Sequence, residues 1–230
     1  MIQLAALDIA GTTVQEGGAV YRVLADVVRA HGAPAADSDV RVWMGADKRE
    51  AITALIALSG TTPDHDTVEA VHTEFVTRLG AAYDATPPVP LPGVPEAFAA
   101  LRAAGVRIAL TTGFDRQIAD PLLDALGWGA GRPDSPVDAT VCASEVAAGR
   151  PAPFMIQRAM ELTGVTDPAC VLVAGDTVLD VRAGHAARAG IVVGVLTGGQ
   201  TEPELAAEHP THILAGVHLL RGLLGSSIRT

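Results

Sequence analysis

The chain has 230 residues, of which 49% are hydrophobic and 18% charged, and its formal net charge is -10. That is ample apolar material for one good core, or for a core with a small companion, and it excludes disorder on a large scale. The negative balance excludes a surface built for nucleic acid or for an anionic membrane. Positive charge for an anionic substrate must then be local, from a few Arg or Lys or from a metal.

The opening run "MIQLAALDIAG" has no basic leader and no cleavage site, so it is expected to belong to the fold and not to a signal peptide. Its part "IQLAALD" reads as a buried strand, short, apolar and stopped by Gly11. Residues 15 to about 84 contain no strand-like run. They read as helices: "AVYRVLADVVRAHG", a short one near "SDVRVWMG", "DKREAITALIALSG" and "DTVEAVHTEFVTRLGAAY". The Pro-rich connector "ATPPVPLPGVP" ends this segment, since it cannot be helix interior. Strand-like runs then resume at "VRIALTTG" (106–113), "DATVCAS" (138–144), "ACVLVAGD" (169–176) and "AGIVVGVLTGG" (189–199). Helical patterns lie between them, most closing on a Gly.

Continuous apolar strands separated by helices imply an α/β fold with a parallel sheet covered on both faces, whose active sites lie beyond the carboxyl ends of the strands. The expected organisation is a core of residues 1–14 and 88–230, with residues 15–87 as an inserted small helical domain. No apolar run is long enough to span a bilayer. Cys142 and Cys170 sit in or beside apolar runs, and the expectation is two reduced, buried thiols in a cytoplasmic protein.

Four polar segments follow four of the predicted strands: Asp8 with Thr12, "TTG" at 111–113, "GRP" at 149–151 and "GDTVLD" at 175–180. Each supplies something that phosphoryl transfer needs. Asp8 is suited to attack phosphorus. Thr112 and the amide of Gly113 are suited to bind phosphoryl oxygens, and Arg150 to neutralise charge on nucleophile and substrate. Asp176, Asp8 and one backbone carbonyl make a hard, oxygen-only site for Mg²⁺. Asp180, with Thr177 beside it, is placed to ligate through water or to orient the loop. Taken singly, "TTG" and Arg150 are weak signals, an Asp ending a strand such as Asp8 is commonly a turn former or helix cap, and "GDTVLD" is moderately specific, since its two carboxylates flank a Gly-led turn into a helix. Four in order are far less easily produced by chance.

In that order, "DIAGTT", "TTG", "GRP" and "GDTVLD" resemble the four motifs of the haloacid dehalogenase-like superfamily, over nearly the whole chain. The resemblance implies a Rossmann-like core, a helical cap, Mg²⁺, an aspartyl nucleophile and mostly phosphate substrates. Such sites usually carry a second Asp where this chain has Ala10. With "D-x-AGTT", an Arg in the third motif, "GDT" in the fourth and "MGADK" at 44–48, the chain is similar to phosphonatases (phosphonoacetaldehyde hydrolases). That similarity makes Lys48 the candidate Schiff-base amine.

The second Asp of a phosphomonoesterase serves as the acid for an alkoxide leaving group, and losing such an acid costs about 10²–10⁴ in rate. Ala10 keeps only its backbone carbonyl, which is still able to face the metal. In carbon–phosphorus cleavage the leaving group is a carbanion and needs an electron sink, which an iminium on Lys48 supplies. The amine must be neutral to attack a carbonyl. The start of the predicted helix 47–58 and the neighbouring Arg49 disfavour its charge, while Asp47 favours it. The plain alternative is that Lys48 only holds an anion.

The chain departs from the phosphonatase pattern at Ala51, Phe114, Gly18 and Ile9. The first three replace a His, an aromatic hydroxyl and a Cys. The substrate that the resemblance implies is a small anionic phosphonate, phosphonoacetaldehyde or a relative; these departures keep a phosphate monoester as alternative, and a silent binding module is a third reading. Met44 and Trp43 are expected to line the cap core or the substrate pocket, and a homodimer is allowed. The seven histidines show no metal-ligand spacing, Glu145 is expected to brace its loop, and the glycine pairs at 17–18 and 198–199 read as turns.

Overall fold

The computed structural model describes residues 1–224; the last six residues assigned above to the core lie outside the described residues. In chain order the elements are β1 (Leu4–Asp8), β2 (Val14–Gln15), α1 (Ala19–Ala30), α2 (Asp37–Arg41), α3 (Lys48–Ala57), α4 (His65–Ala85) and β3 (Val89–Pro90). There follow α5 (Val94–Ala103), β4 (Arg107–Thr112), α6 (Arg116–Ala125), β5 (Ala139–Cys142), α7 (Phe154–Thr163) and β6 (Val171–Gly175). The described chain closes with α8 (Val178–Ala186), β7 (Ile191–Val195), α9 (Glu202–Ala206), β8 (His212–Leu214) and α10 (Arg221–Leu224). It divides into two compact units, Met1–Gln15 with Val89–Thr230 (described to Leu224), and Glu16–Pro88.

The first unit is built on a six-stranded sheet in the order β5-β4-β1-β6-β7-β8. Every pairing in it is parallel. The central strand β1, "LAALD", is buried at all five positions, as a parallel strand covered on both faces must be. Its alternate residues Leu4 and Ala6 join Ala109, Val141 and Val173 in a core closed by Met155, Ile156, Ala159 and Met160 of α7. Helix α5 packs against β4, and α8 against β6 and β7. The chain leaves β1 toward β4 and leaves β6 toward β7, so the carboxyl ends of β1 and β6 flank a topological switch point, where open α/β sheets bind ligands.

Strand β8 was not foreseen. "HIL" is an exposed His and two half-buried residues after a polar stretch, too short for an apolar run. Cys170 is a second departure: it ends a 3₁₀ turn, Pro168–Cys170, just before β6 and is partly exposed, whereas Cys142 is buried. Both thiols are free.

The second unit is helical. Helix α1 packs against α2, α3 and α4, and α3 against α4. Asp47 caps α3, its side chain accepting from the amides of Arg49 and Glu50, and Asp64 caps α4 by accepting from Thr67. Strands β2 and β3 pair antiparallel, Val14 with Pro90 and Gln15 with Val89, next to the points where the chain enters and leaves the insert. No helix among the described residues is long and apolar enough to cross a membrane.

Candidate active site

Asp8 is the last residue of β1, and a tight turn follows at once. The amides of Thr12, Thr13 and Val14 all donate to the carbonyl of Ile9. Gly11 has φ +83°, and a Cβ there would stand 2.9 Å from Asp176 Oδ2, so the turn needs glycine twice over. Ala10, expected to offer its carbonyl to a metal, lies within this turn.

The side chain of Arg150 binds three segments together. Its Nη1 donates to Asp8 Oδ1 at 2.7 Å, and its Nη2 to the carbonyl and hydroxyl oxygens of Thr111 at 2.9 and 2.8 Å. Its Nε pairs with Asp180 Oδ1 at 2.8 Å. Asp180 is fixed in turn by Thr177, whose amide and hydroxyl donate to Oδ2 at 3.1 and 2.5 Å. Thr177 caps α8, so a helix start sets the far side of the guanidinium. All three charged side chains are buried, Asp180 at 2% exposure, Arg150 at 5% and Asp8 at 6%. Asp180 was expected to ligate through water or to orient a loop; its contacts here are with Arg150 and Thr177.

Asp176 stands just past β6, buried. Its Oδ1 accepts from the Thr12 hydroxyl at 3.1 Å and its Oδ2 from the Gly199 amide at 3.2 Å. Thr12, expected among the substrate binders, thus gives its hydroxyl to Asp176. At the end of β4, Thr112 Oγ1 accepts from the amide of Phe114 at 3.1 Å, a bond that leaves the hydroxyl proton for another acceptor. Gly113 lies buried in the same turn.

Burial drives the electrostatics. Asp8 is held above the ordinary carboxylate range first by burial and further by Asp180, with Arg150 opposing. Asp176 is raised by burial, then by Asp8 and Asp180, against the hydrogen bonds from Gly199 and Thr12. Burial works against the Arg150 charge, but Asp180 and Asp8 outweigh it and keep the guanidinium firmly protonated. Three buried carboxylates around this guanidinium leave an excess of negative charge, which a bound cation would relieve.

Among the described residues no group of three or more His, Cys, Asp or Glu is placed to hold a metal. A Mg²⁺ ion does not require one, because it takes one or two carboxylates and completes its shell with waters and substrate oxygens. The all-oxygen pair Asp8 and Asp176 fits that demand, while Asp180 is committed to Arg150.

In the helical unit, Lys48 is the first residue of α3 and is 3% exposed. Its Nζ donates to the carbonyl of Ala46 at 2.6 Å and lies 5.6 Å from the centre of the Tyr21 ring. Tyr21 is steadied by the amide of Gly45, which donates to its hydroxyl at 2.9 Å. Arg49, expected to press on Lys48 as a like charge, is paired with Glu69 through Nε and Nη2 at 2.6 and 3.0 Å, which weakens that pressure. Met44 lines a cleft of about 460 Å³ with Tyr21, Val40 and Arg41, all within this unit.

Two contributors were not singled out from the sequence. Thr111 receives Arg150, and the segment 197–200 after β7 reaches Asp176 through Gly199. The glycine pair at 198–199 was visible but read as a plain turn. Glu145 accepts from both Arg116 and the amide of Cys142, which braces its loop.

A family model described as haloacid dehalogenase-like hydrolase matches residues 2–188. A phosphonoacetaldehyde hydrolase-like protein of Syntrophobacter fumaroxidans is 33% identical over 221 residues, covering 90% of this chain and 78% of that protein. A phosphonoacetaldehyde hydrolase of Paraburkholderia xenovorans is 31% identical over 191 residues, covering 77% and 68%. In fold, the chain is similar to the crystal structure of a phosphonoacetaldehyde hydrolase-like protein from Oleispira antarctica. The TM-score is 0.81 at 20% identity, covering 98% of this chain and 92% of that one.

Proposed function

The chain belongs to the haloacid dehalogenase-like hydrolases, and we propose that it is a Mg²⁺-dependent, phosphonatase-type enzyme that cleaves the C–P bond of phosphonoacetaldehyde or a close relative. The observation that carries the proposal is a pairing of absence and presence: Ala10 brings no acid to the nucleophile's turn, and Lys48 is a buried amine at a helix start.

On this reading the Lys48 amine condenses with the substrate aldehyde, expelling water and leaving an iminium. An Asp8 carboxylate oxygen attacks phosphorus. The C–P bonding pair moves into the iminium to give an enamine, and the phosphoryl group stays on Asp8. Water releases phosphate from Asp8, while the enamine takes a proton and is hydrolysed to acetaldehyde and free Lys48. Arg150 holds Asp8 in its attacking orientation, and Thr112 and the Gly113 amide bind phosphoryl oxygens. Mg²⁺, held by Asp8, Asp176 and the Ala10 carbonyl, supplies charge neutralisation for the phosphoryl oxygens when bound. The helical insert serves as the cap, with Met44 lining the substrate pocket, and the enzyme works in the cytoplasm.

A second reading, a phosphate monoesterase that uses Lys48 only to hold an anion, is favoured by Ala51 and Phe114. Both are buried and apolar where phosphonatases carry polar groups.

Borohydride trapping separates the two. The full chain incubated with phosphonoacetaldehyde and borohydride is expected to carry a reduced adduct on Lys48, read by mass spectrometry, and to release acetaldehyde without borohydride. Absence of both, with phosphate released from monoesters by K48A but not by D8N, establishes the phosphatase instead.

A further inference from the structure

We propose that the loop after β7, Thr197 to Gln200, is a positioning element for the Asp176 carboxylate, and that Thr197 is its anchoring residue. The inference rests on the reading that Asp176 holds a divalent cation. The loop reaches both of the turns that carry the expected metal ligands. Thr197 Oγ1 donates to the Gly11 carbonyl at 2.6 Å, in the turn after Asp8. Gln200 Oε1 accepts from the Val178 amide at 2.5 Å, in the turn after Asp176. Between these anchors, the Gly199 amide donates to Asp176 Oδ2.

The fit around Asp176 is tight on two sides. A Cβ on Gly198 would stand 1.8 Å from Asp176 Oδ2, and one on Gly11 would stand 2.9 Å from the same oxygen. The carboxylate therefore lies between two glycines of different segments, and the Thr197–Gly11 bond ties those segments together. Each carboxylate oxygen takes one donor, Thr12 on Oδ1 and Gly199 on Oδ2, and each keeps lone-pair capacity for a cation. Without the Thr197 hydroxyl, the spacing of Gly11 and Gly198 is no longer fixed, and Asp176 turns away from its ligating orientation. Groups that orient metal ligands in this way commonly contribute about 10–100-fold in affinity.

The test is Mn²⁺ binding to the full chain without substrate, read from the electron paramagnetic resonance of the free ion. Thr197→Val keeps the shape and removes the donor; Thr197→Ser keeps the donor. T197V is expected to bind Mn²⁺ at least about tenfold more weakly, T197S to bind like the wild type, and D176N not to bind. G198A crowds the same oxygen and is expected to weaken binding as well. Equal binding by wild type and T197V overturns the loop's role and leaves the metal reading standing. A loss that T197S does not restore marks a merely structural change and overturns it too. No binding by the wild type overturns both.

Discussion

Arg150 and Asp8 form a buried ion pair, Nη1 to Oδ1 at 2.7 Å, between residues 142 positions apart in the chain. The same guanidinium holds Asp180 on its other side. Arg150→Ala would leave two carboxylates buried without their counter-charge. Breaking a buried pair in this way costs about 3–5 kcal/mol. R150A is expected to lose that much in urea unfolding, and R150K less, since a lysine keeps the charge but not the planar fork that reaches Asp8, Asp180 and Thr111 together.

The raised carboxylates give the metal-free protein a pH dependence with a definite sign. The folded state keeps protons on Asp8 and Asp176 that the unfolded chain has already released, so stability falls as pH rises. The window opens near the ordinary value of 3.8 and runs through about 6 for Asp8 and about 8 for Asp176. In EDTA, the melting temperature of wild type relative to D176N is expected to decline across this window. Added Mg²⁺ is expected to stabilise the wild type more strongly toward its upper end. A flat difference between the two proteins would contradict the shift at Asp176.

The two thiols should differ sharply. Cys142 is fully buried, and burial above all pushes its thiol up to about 12, while Cys170 is partly exposed. The thiolate is the reactive form. Iodoacetamide on the native protein is expected to label Cys170 alone, with Cys142 labelled only after denaturation, as peptide mass spectrometry would show.

Asp47 caps the helix that begins with Lys48, accepting from two otherwise orphaned amides. Asp47→Ala is expected to cost about 1 kcal/mol of stability, and Asp47→Ser much less. The check is the unfolding midpoint of each variant.

The parallel sheet was legible because buried parallel strands are written as unbroken apolar runs, which residues 16–88 lack. Strand β8 was not, since one exposed and two half-buried residues carry no such signal. Asp8, Arg150 and Asp176 were legible as residue types at the ends of runs. What was hidden is how they hold one another: Asp180 reads in sequence as a third carboxylate near a helix start, and only the fold shows its oxygens spent on Arg150 and Thr177. Gly198 was hidden for a different reason. A glycine's importance lies in the atom it lacks, and that is visible only once Asp176 occupies the space.

The antiparallel pair of Val14–Gln15 with Val89–Pro90 makes everything between Gln15 and Val89, topologically, one long hairpin loop. The ends of such a loop stay together whatever its length, because closure entropy grows only with the logarithm of the residues enclosed. Insertions, deletions or whole exchanges within residues 16–88 therefore leave the register of the parallel sheet untouched. Lys48 lies inside that loop, whereas Asp8 at the end of β1, Arg150 in the turn before α7 and Asp176 just past β6 all lie outside it.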